Sequence, residues 1–276
     1  MKILLIDANG LFYRNYFKLA DKLDFGGAFG FIKFLFSKNI PSFDRVVSAW
    51  DKGKSKRRME IHPDYKAGRP KRDEETILDM RSQQDIASWM SNIMGVANIR
   101  MSGVEADDII AVLTKLHAKH GDAVTIATSD RDFLQLTKYS GVKFWDFGKR
   151  RELKPEVTPE KHALYKSMCG DPSDGIRGVR GYGPVRSKRL IDSGKPLEEE
   201  LTAEQIAIID RNLKLIDFDN IPKILEKEIV DEYVKILLKR RGVLKESSNR
   251  RGSFTNMCAR YRMDSLTPNC VDRRYF

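Results

Sequence analysis

Cysteine is scarce in this sequence, with three residues among 276: Cys169, Cys258 and Cys270. None has a close cysteine partner or a histidine at metal-ligand spacing, which excludes a disulfide framework and a zinc finger. Long apolar runs are missing as well. None approaches the ~18 residues of a membrane helix, so no membrane contact is expected. The opening MKILLID offers no secretory signal, because Asp7 interrupts its apolar stretch after four residues. A cytoplasmic protein is expected. Negative charge is in the minority, with 50 Lys and Arg against 39 Asp and Glu, net +11. With 41% hydrophobic and 32% charged residues the chain reads as globular, one large domain or two small ones.

The positive excess is unevenly placed. Residues 52–72 carry net +7, residues 177–189 net +5 with no acid, and residues 239–276 net +7, so the remainder is acidic at −8. That division suggests polyanion contacts arranged around something that needs carboxylates. Solvated surface is the plainer alternative for any single run.

Apolar runs with β-branched residues predict strands at 2–7, 45–51, 97–101, 124–130 and 142–147. Between them, residues 10–22, 27–38, 74–94 and 105–120 have apolar positions three and four apart, the spacing of helices. Such alternation predicts an α/β fold with a mainly parallel central sheet flanked by helices. After about residue 150 helices dominate, at 159–169, 184–193, 203–215 and 222–238. The expected organisation is an α/β core over 1–155 with a basic loop at 52–73, a helical part over 156–238, and a basic, weakly ordered tail over 239–276. The loop is too long and polar for an ordinary connection.

Three predicted strands end in aspartate: Asp7, Asp51 and Asp130. In an open parallel sheet, ligands bind beyond the carboxyl ends of the strands, so these acids face a shared crevice. The stretch GVEADDIIAVL adds Glu105, Asp107 and Asp108 at a helix entrance, TSDRDFLQL adds Asp132, and GDPSDGI adds Asp171 and Asp174. Glu105 and Asp108 are three apart and share a helix face, whereas Asp107 points elsewhere. Each acid alone could be a helix cap or an Asx-turn. Convergence is different, because two carboxylates about 5 Å apart repel by ~3 kcal/mol at an effective dielectric of about 20. A cluster of this size calls for cations, and oxygen-only ligands favour Mg²⁺, with Mn²⁺ as the alternative. Two such ions clamp both the attacking and leaving oxygens of a phosphodiester displacement.

The basic loop DKGKSKRRMEIHPDYKAGRPKR follows Asp51 directly. Its Lys52, Lys54, Arg57 and Arg58 suit phosphates, Tyr65 offers a stacking face for an unpaired base, and Lys66 or Arg69 suits the charge developing on a scissile phosphate. A second basic stretch, IRGVRGYGPVRSKRLI, places Gly178, Gly181 and Gly183 in tight turns before a helix bearing Arg186, Lys188 and Arg189.

The ordered combination of LIDANGLFYR, AWDKG with PDYKAGR downstream, GVEADD, TSDRDFLQL and GDPSDGIRGVRGYG resembles the structure-specific 5′ nuclease family of flap endonucleases and 5′-3′ exonucleases over roughly residues 1–195. The segment NLKLIDFDNIP is similar to the phage-type subgroup that includes the T-even phage ribonuclease H. The resemblance implies a PIN-like, resolvase-like core. It implies that Asp7, Asp51, Glu105, Asp107 and Asp108 serve one of two Mg²⁺ ions, and Asp130, Asp132, Asp171 and Asp174 the other. Lys66 and Arg69 would be catalytic, Tyr65 would stack on a base, and the glycine hairpin would be a helix–three-turn–helix element gripping duplex DNA, with a monovalent cation at its turn. The implied activity is 5′-to-3′ cleavage of nicked, flapped or RNA–DNA duplexes, removing RNA primers and 5′ flaps during replication. A single-strand-binding protein or another replication protein is the implied partner, and the enzyme would act as a monomer in the host cytoplasm of a bacteriophage. The competing readings are a PIN-like ribonuclease and a catalytically silent DNA-binding protein.

Overall fold

The computed structural model describes residues 1–37, 40–246 and 250–271. Its N-terminal part runs β1 (Lys2–Asp7), α1 (Ala8–Leu19), α2 (Gly26–Leu35), β2 (Arg45–Trp50), α3 (Lys56–Ile61), α4 (Glu74–Ile93), β3 (Ala97–Arg100), α5 (Ala106–Lys119), β4 (Ala123–Thr128), β5 (Val142–Asp146) and β6 (Arg151–Glu152). Then follow α6 (His162–Cys169), the short strands β7 (Gly170–Asp171) and β8 (Ile176–Arg177), α7 (Pro184–Ser193), α8 (Leu197–Glu200), α9 (Ala203–Ile216), α10 (Lys223–Glu246) and α11 (Arg250–Arg260). No helix among the described residues is long and apolar enough to cross a membrane.

The main sheet has the order β3-β2-β1-β4-β5-β6. Its first five strands are parallel, and β6 pairs antiparallel with β5 at the edge. The apolar run of β1 is buried on both faces, as a central parallel strand must be. Ile3 and Leu5 pack with Ile109, Leu113, Phe218 and Ile229, from the side covered by α5 and α10. Leu4 and Ile6 point the other way, toward Phe12, Phe31, Trp50 and Met90 from the side covered by α1, α2 and α4. The chain leaves β1 for β2 and β3 on one side and returns to β4 and β5 on the other. The carboxyl end of β1 is therefore a topological switch point, where an open α/β sheet leaves a crevice.

The helical part has its own cluster of Met168, Val179, Tyr182, Leu190, Leu201 and Ile209. A smaller cluster of Tyr65, Ile176, Leu215 and Ile216 joins it to the basic segment.

Within the segment expected as a loop over 52–73, Lys56–Ile61 form α3 and the rest has no regular secondary structure. Ser55 accepts from the Arg58 N–H and caps α3, while Gly103 exchanges backbone bonds with Lys52 and Lys56, pinning the start of the segment to the turn before α5. The far end is fastened by Lys66, whose φ of 57° lies in the left-handed region and whose N–H donates to the Asp174 carbonyl at 2.9 Å.

The tail also departs from expectation. Helix α11 buries Phe254, Met257 and Cys258 against the core side of α2 and α4, and Phe254 meets Phe36 edge to face with ring centroids 5.7 Å apart. The spacing of 254, 257 and 258 is one face of a helix; its flanking arginines hid that short apolar stripe in the composition. Helix α10 likewise runs past the expected 238. The side chain of Cys270 and the structure of residues 272–276 lie outside the described residues.

Candidate active site

Four strand ends deliver the acids, and several serve as caps while doing so. Asp7 closes β1 and caps α1, its Oδ1 accepting from the Gly10 N–H at 2.8 Å and its Oδ2 from Thr128 Oγ1 at 2.8 Å. A Cβ on Gly10 would fall 2.4 Å from Asp7 Oδ2, so glycine is required there. Asp51 follows β2. Its N–H donates to Asn9 Oδ1 at 2.9 Å, and its Oδ1 accepts from the Ala106 N–H at 2.7 Å in the first turn of α5. Asp130 follows β4 and accepts from the Asp132 N–H at 2.9 Å, while Asp171 accepts from the Ser173 N–H at 2.9 Å. Capping is thus real at Asp7, Asp130 and Asp171.

The nine acids divide by partner. Among the described residues Asp7, Asp51, Asp107 and Asp130 have no basic partner, whereas the other five are ion-paired. Glu105 meets Arg58 at 2.9 Å and Lys66 at 2.8 Å, and Asp174 meets Arg69 at 2.6 Å. Lys166 lies 2.9 Å from Asp132 and 3.2 Å from Asp171. Five side-chain cations set against nine carboxylates leave four negative charges uncompensated.

The strain shows in their protonation. Burial pushes the Asp7 carboxyl up to about 6, with Asp51 and Asp130 adding repulsion. Burial and Asp130 push Asp132 up to about 7. Asp107 is raised by burial and by Asp130, while Asp51 and Asp130 are raised chiefly by burial. Asp130 acts electrostatically on Asp7, Asp107 and Asp132 and is itself raised by Asp171 and Asp174, so the two expected groups of acids are not electrically separate.

An array of carboxylates without imidazole or thiolate matches hard divalent cations. One buried acceptor supports the fit: Asp132 Oδ1 makes no hydrogen bond, because the nearby ammonium lies off a good bonding direction. Among the described residues no three acidic, histidine or cysteine side chains close around one point, Lys66 and Lys166 holding several of the acids toward themselves.

Several expected roles need correction. Asp107 does not stand apart from the other acids, since Asp130 and Glu105 both raise its carboxyl beyond the effect of burial. Asp108 is fully buried, and its two oxygens are occupied by Arg57 and Arg58 at 2.9–3.1 Å, which removes it as an ion ligand. Those arginines are correspondingly unavailable to a nucleic acid: Arg57 also donates to the Lys214 carbonyl and Arg58 to that of Leu215. Tyr65 is 1% exposed and presents no face to a base; its hydroxyl lies 3.0 Å from Glu105 and 2.9 Å from Asp174. A basic segment without tertiary partners would leave these groups free; folding against α5 and α9 uses them as internal counter-charges.

Lys52, Lys54 and Arg69 remain exposed at the crevice mouth. Between the segment and the helical part lies an open groove of about 750 Å³, lined by His62, Gly68, Gly175, Arg177, Gly178 and Arg211 among others. In the hairpin, Gly178 packs where a Cβ would meet the Cys169 carbonyl at 2.3 Å, Gly181 has φ of 84°, and Gly183 opens α7 facing free space. Arg186, Lys188 and Arg189 are exposed beyond it, with the Arg186 guanidinium 4.2 Å from the Tyr182 ring centroid.

Sequence reasoning missed Lys166, Asn9 and Thr128. Lys166 carried a faint signal, a lone cation one helical turn ahead of Gly-Asp-Pro. Asn9 sits within the ANG stretch after Asp7, and Thr128 precedes Ser-Asp; neither type is diagnostic by itself.

Comparison with known proteins gives independent findings. Residues 2–164 match the family model of the 5′-3′ exonuclease N-terminal resolvase-like domain. The 5′-3′ exonuclease of Bacillus subtilis is 32% identical over 211 residues, covering 69% of this chain and 69% of that protein. DNA polymerase I of Thermus thermophilus is 32% identical over 212 residues, 71% of this chain, which spans only 24% of the polymerase. Among solved structures, the bacteriophage T5 5′-exonuclease with bound zinc superposes with a TM-score of 0.70 at 24% identity, covering 86% of this chain and 99% of that one. A T5 flap endonuclease pseudo-enzyme–product complex with DNA and metal ions superposes with a TM-score of 0.69 over the same shares.

Proposed function

Because the chain belongs to the 5′-3′ exonuclease family, we propose that it is a metal-dependent 5′-to-3′ nuclease acting on nicked, flapped and RNA–DNA duplexes. Its role would be the removal of RNA primers and 5′ flaps during DNA replication. The observation that carries the reading is the set of four carboxylates without an ion pair among the described residues, Asp7 buried, Asp51 and Asp107 half-buried and Asp130 exposed at the rim, around the switch point of the sheet. Isolated from cations, such a set is destabilising, and folding retains it only where an ion or a substrate uses it.

Asp7, Asp51, Glu105, Asp107, Asp130, Asp132, Asp171 and Asp174 would hold two Mg²⁺ ions. When bound, such ions supply an activated water, charge neutralisation at the phosphate and stabilisation of the leaving oxygen. The chain's own residues do the rest. The Lys66 ammonium, donating to Glu105 at 2.8 Å, stands at the edge of the acid array, where it stabilises negative charge on the scissile phosphate. Arg69, exposed beside it and tied to Asp174, steadies the neighbouring phosphate. Lys52 and Lys54 collect the incoming strand by charge. Gly183 and the first turn of α7, with Arg186, Lys188 and Arg189, grip the duplex backbone, and the hairpin carbonyls take a monovalent cation. Backbone contacts of this kind carry no sequence preference. The protein works as a monomer in the cytoplasm of the host, with a single-strand-binding protein as its natural companion.

The test is a Mg²⁺ assay on end-labelled 5′-flap, nicked and RNA–DNA duplexes, reading product sizes. Short 5′ products that vanish in excess EDTA are expected; activity persisting in EDTA overturns the metal mechanism. Asp130→Asn is expected to bind DNA without cutting it. Preference for unpaired RNA would instead favour a PIN-like ribonuclease, and binding with no cleavage by the wild type a silent DNA-binding protein.

A further inference from the structure

Lys166 occupies an unusual position among the cations of the array. Glu105 has Arg58, Lys66 and Tyr65 about it, and Asp174 has Arg69, Lys66 and Tyr65. Asp132 and Asp171 share one cation among the described residues, the Lys166 ammonium, 2.9 Å from one and 3.2 Å from the other. It reaches them from α6, an element outside the sheet, on a four-carbon stem that can swing without moving the backbone. The ammonium donates to Asp171 Oδ2 at 3.2 Å. Asp132 Oδ1 receives charge but no well-directed hydrogen bond, whereas Asp171 Oδ1 already accepts from the Ser173 N–H and hydroxyl. Asp7, Asp51 and Asp107 have no close ion pair to break among the described residues, Lys66 acting on Asp51 and Asp107 only at longer range while it bonds Glu105.

We propose that divalent ions load in a fixed order, the first among Asp7, Asp51, Asp107 and Asp130, and the second only by displacing Lys166 from between Asp132 and Asp171. Lys166 is then a positioning residue that sets the affinity of the second ion. It holds the far half of the array together while that ion is away and competes with it when it arrives. The inference rests on the metal-dependent reading given above. Its physical basis is competition: a dication drawn in between Asp132 and Asp171 and an ammonium lying between the same two carboxylates repel each other and contend for the same negative charge.

The experiment is an ion titration of the full chain without DNA, following free Mn²⁺ by electron paramagnetic resonance and Mg²⁺ by calorimetry. Wild type, Lys166→Met, Lys166→Gln and Lys166→Arg are compared, with Asp107→Asn as a control. Two classes of site are expected in the wild type. Removing the charge in Lys166→Met or Lys166→Gln should tighten the weak class by about tenfold or more, leave the tight class alone, and lower the melting temperature in EDTA. Lys166→Arg should behave like the wild type, and Asp107→Asn should lose the tight class. A weak class that is unchanged or weakened without the Lys166 charge overturns the ordered-displacement proposal while leaving the nuclease reading intact. Absence of any ion binding in the wild type overturns both.

Discussion

Asp7→Asn is expected to make the metal-free protein more stable. The substitution keeps the shape and the cap: the asparagine oxygen still accepts from the Gly10 N–H, and its amide can donate to Thr128 Oγ1 in place of the present bond. What disappears is a buried charge. Burial raises the Asp7 carboxyl from 3.8 to about 6 in the folded chain. A carboxyl raised in the folded state penalises folding once pH exceeds both values, and the penalty fades as pH falls through the folded value toward the unfolded one. The shift of about two units corresponds to about 3 kcal/mol at pH 8 and about half of that at pH 5. For a chain of 276 residues, 3 kcal/mol moves the melting temperature by about 5 °C. The assay is calorimetry or urea unfolding in EDTA at both pH values. Saturating Mg²⁺ should raise the wild type more than Asp7→Asn and narrow or reverse the gap. If the variant is no more stable than the wild type at pH 8 in EDTA, Asp7 is not held in an environment short of cations, and the argument for an ion there fails.

Other perturbations probe other parts. Arg58→Met leaves Asp108 and Glu105 short of a buried partner and should destabilise by about 3–5 kcal/mol in urea unfolding; a loss of DNA affinity with unchanged stability would refute the internal role of Arg58. Phe254→Ala should cost about 3–5 kcal/mol, since the ring is fully buried; a neutral effect would mean that α11 does not belong to the core. Gly178→Ala places a methyl 2.3 Å from the Cys169 carbonyl, so the hairpin must shift, raising KM for duplex substrates more than it lowers kcat. Equal melting curves and equal KM would refute that packing.

The parallel sheet was legible because a buried strand writes itself as a short apolar run, and each of the first five strands did so. The acids were legible because four of them directly follow or start elements at one sheet edge. What sequence spacing could not supply was the rotation of α5. Glu105 and Asp108 do share a face, but that face turns toward α3 and its arginines, while Asp107 is left to the influence of Asp130. Nothing local distinguishes these orientations; they are decided by how Ile109, Ile110 and Leu113 seat on the sheet. The fate of Arg57, Arg58 and Tyr65 was hidden for the same reason. A basic run looks solvated until its counter-charges, about fifty residues away in α5, are brought beside it. The apolar stripe of α11 was overlooked because three buried residues among arginines carry little weight in composition.

The docking of α11 has a bearing on how the chain comes to be folded. The face of the sheet that holds Phe31, Trp50 and Met90 is completed by Phe254, Met257 and Cys258, which are synthesised well after the helices they cover. Throughout synthesis the early helices α1, α2 and α4 therefore present an uncovered apolar seat, closed only when a segment more than two hundred residues downstream emerges. Contacts of such separation form late and slowly, and an open apolar seat invites association meanwhile. A chain truncated before α11 should thus show its defect first as aggregation of newly made protein.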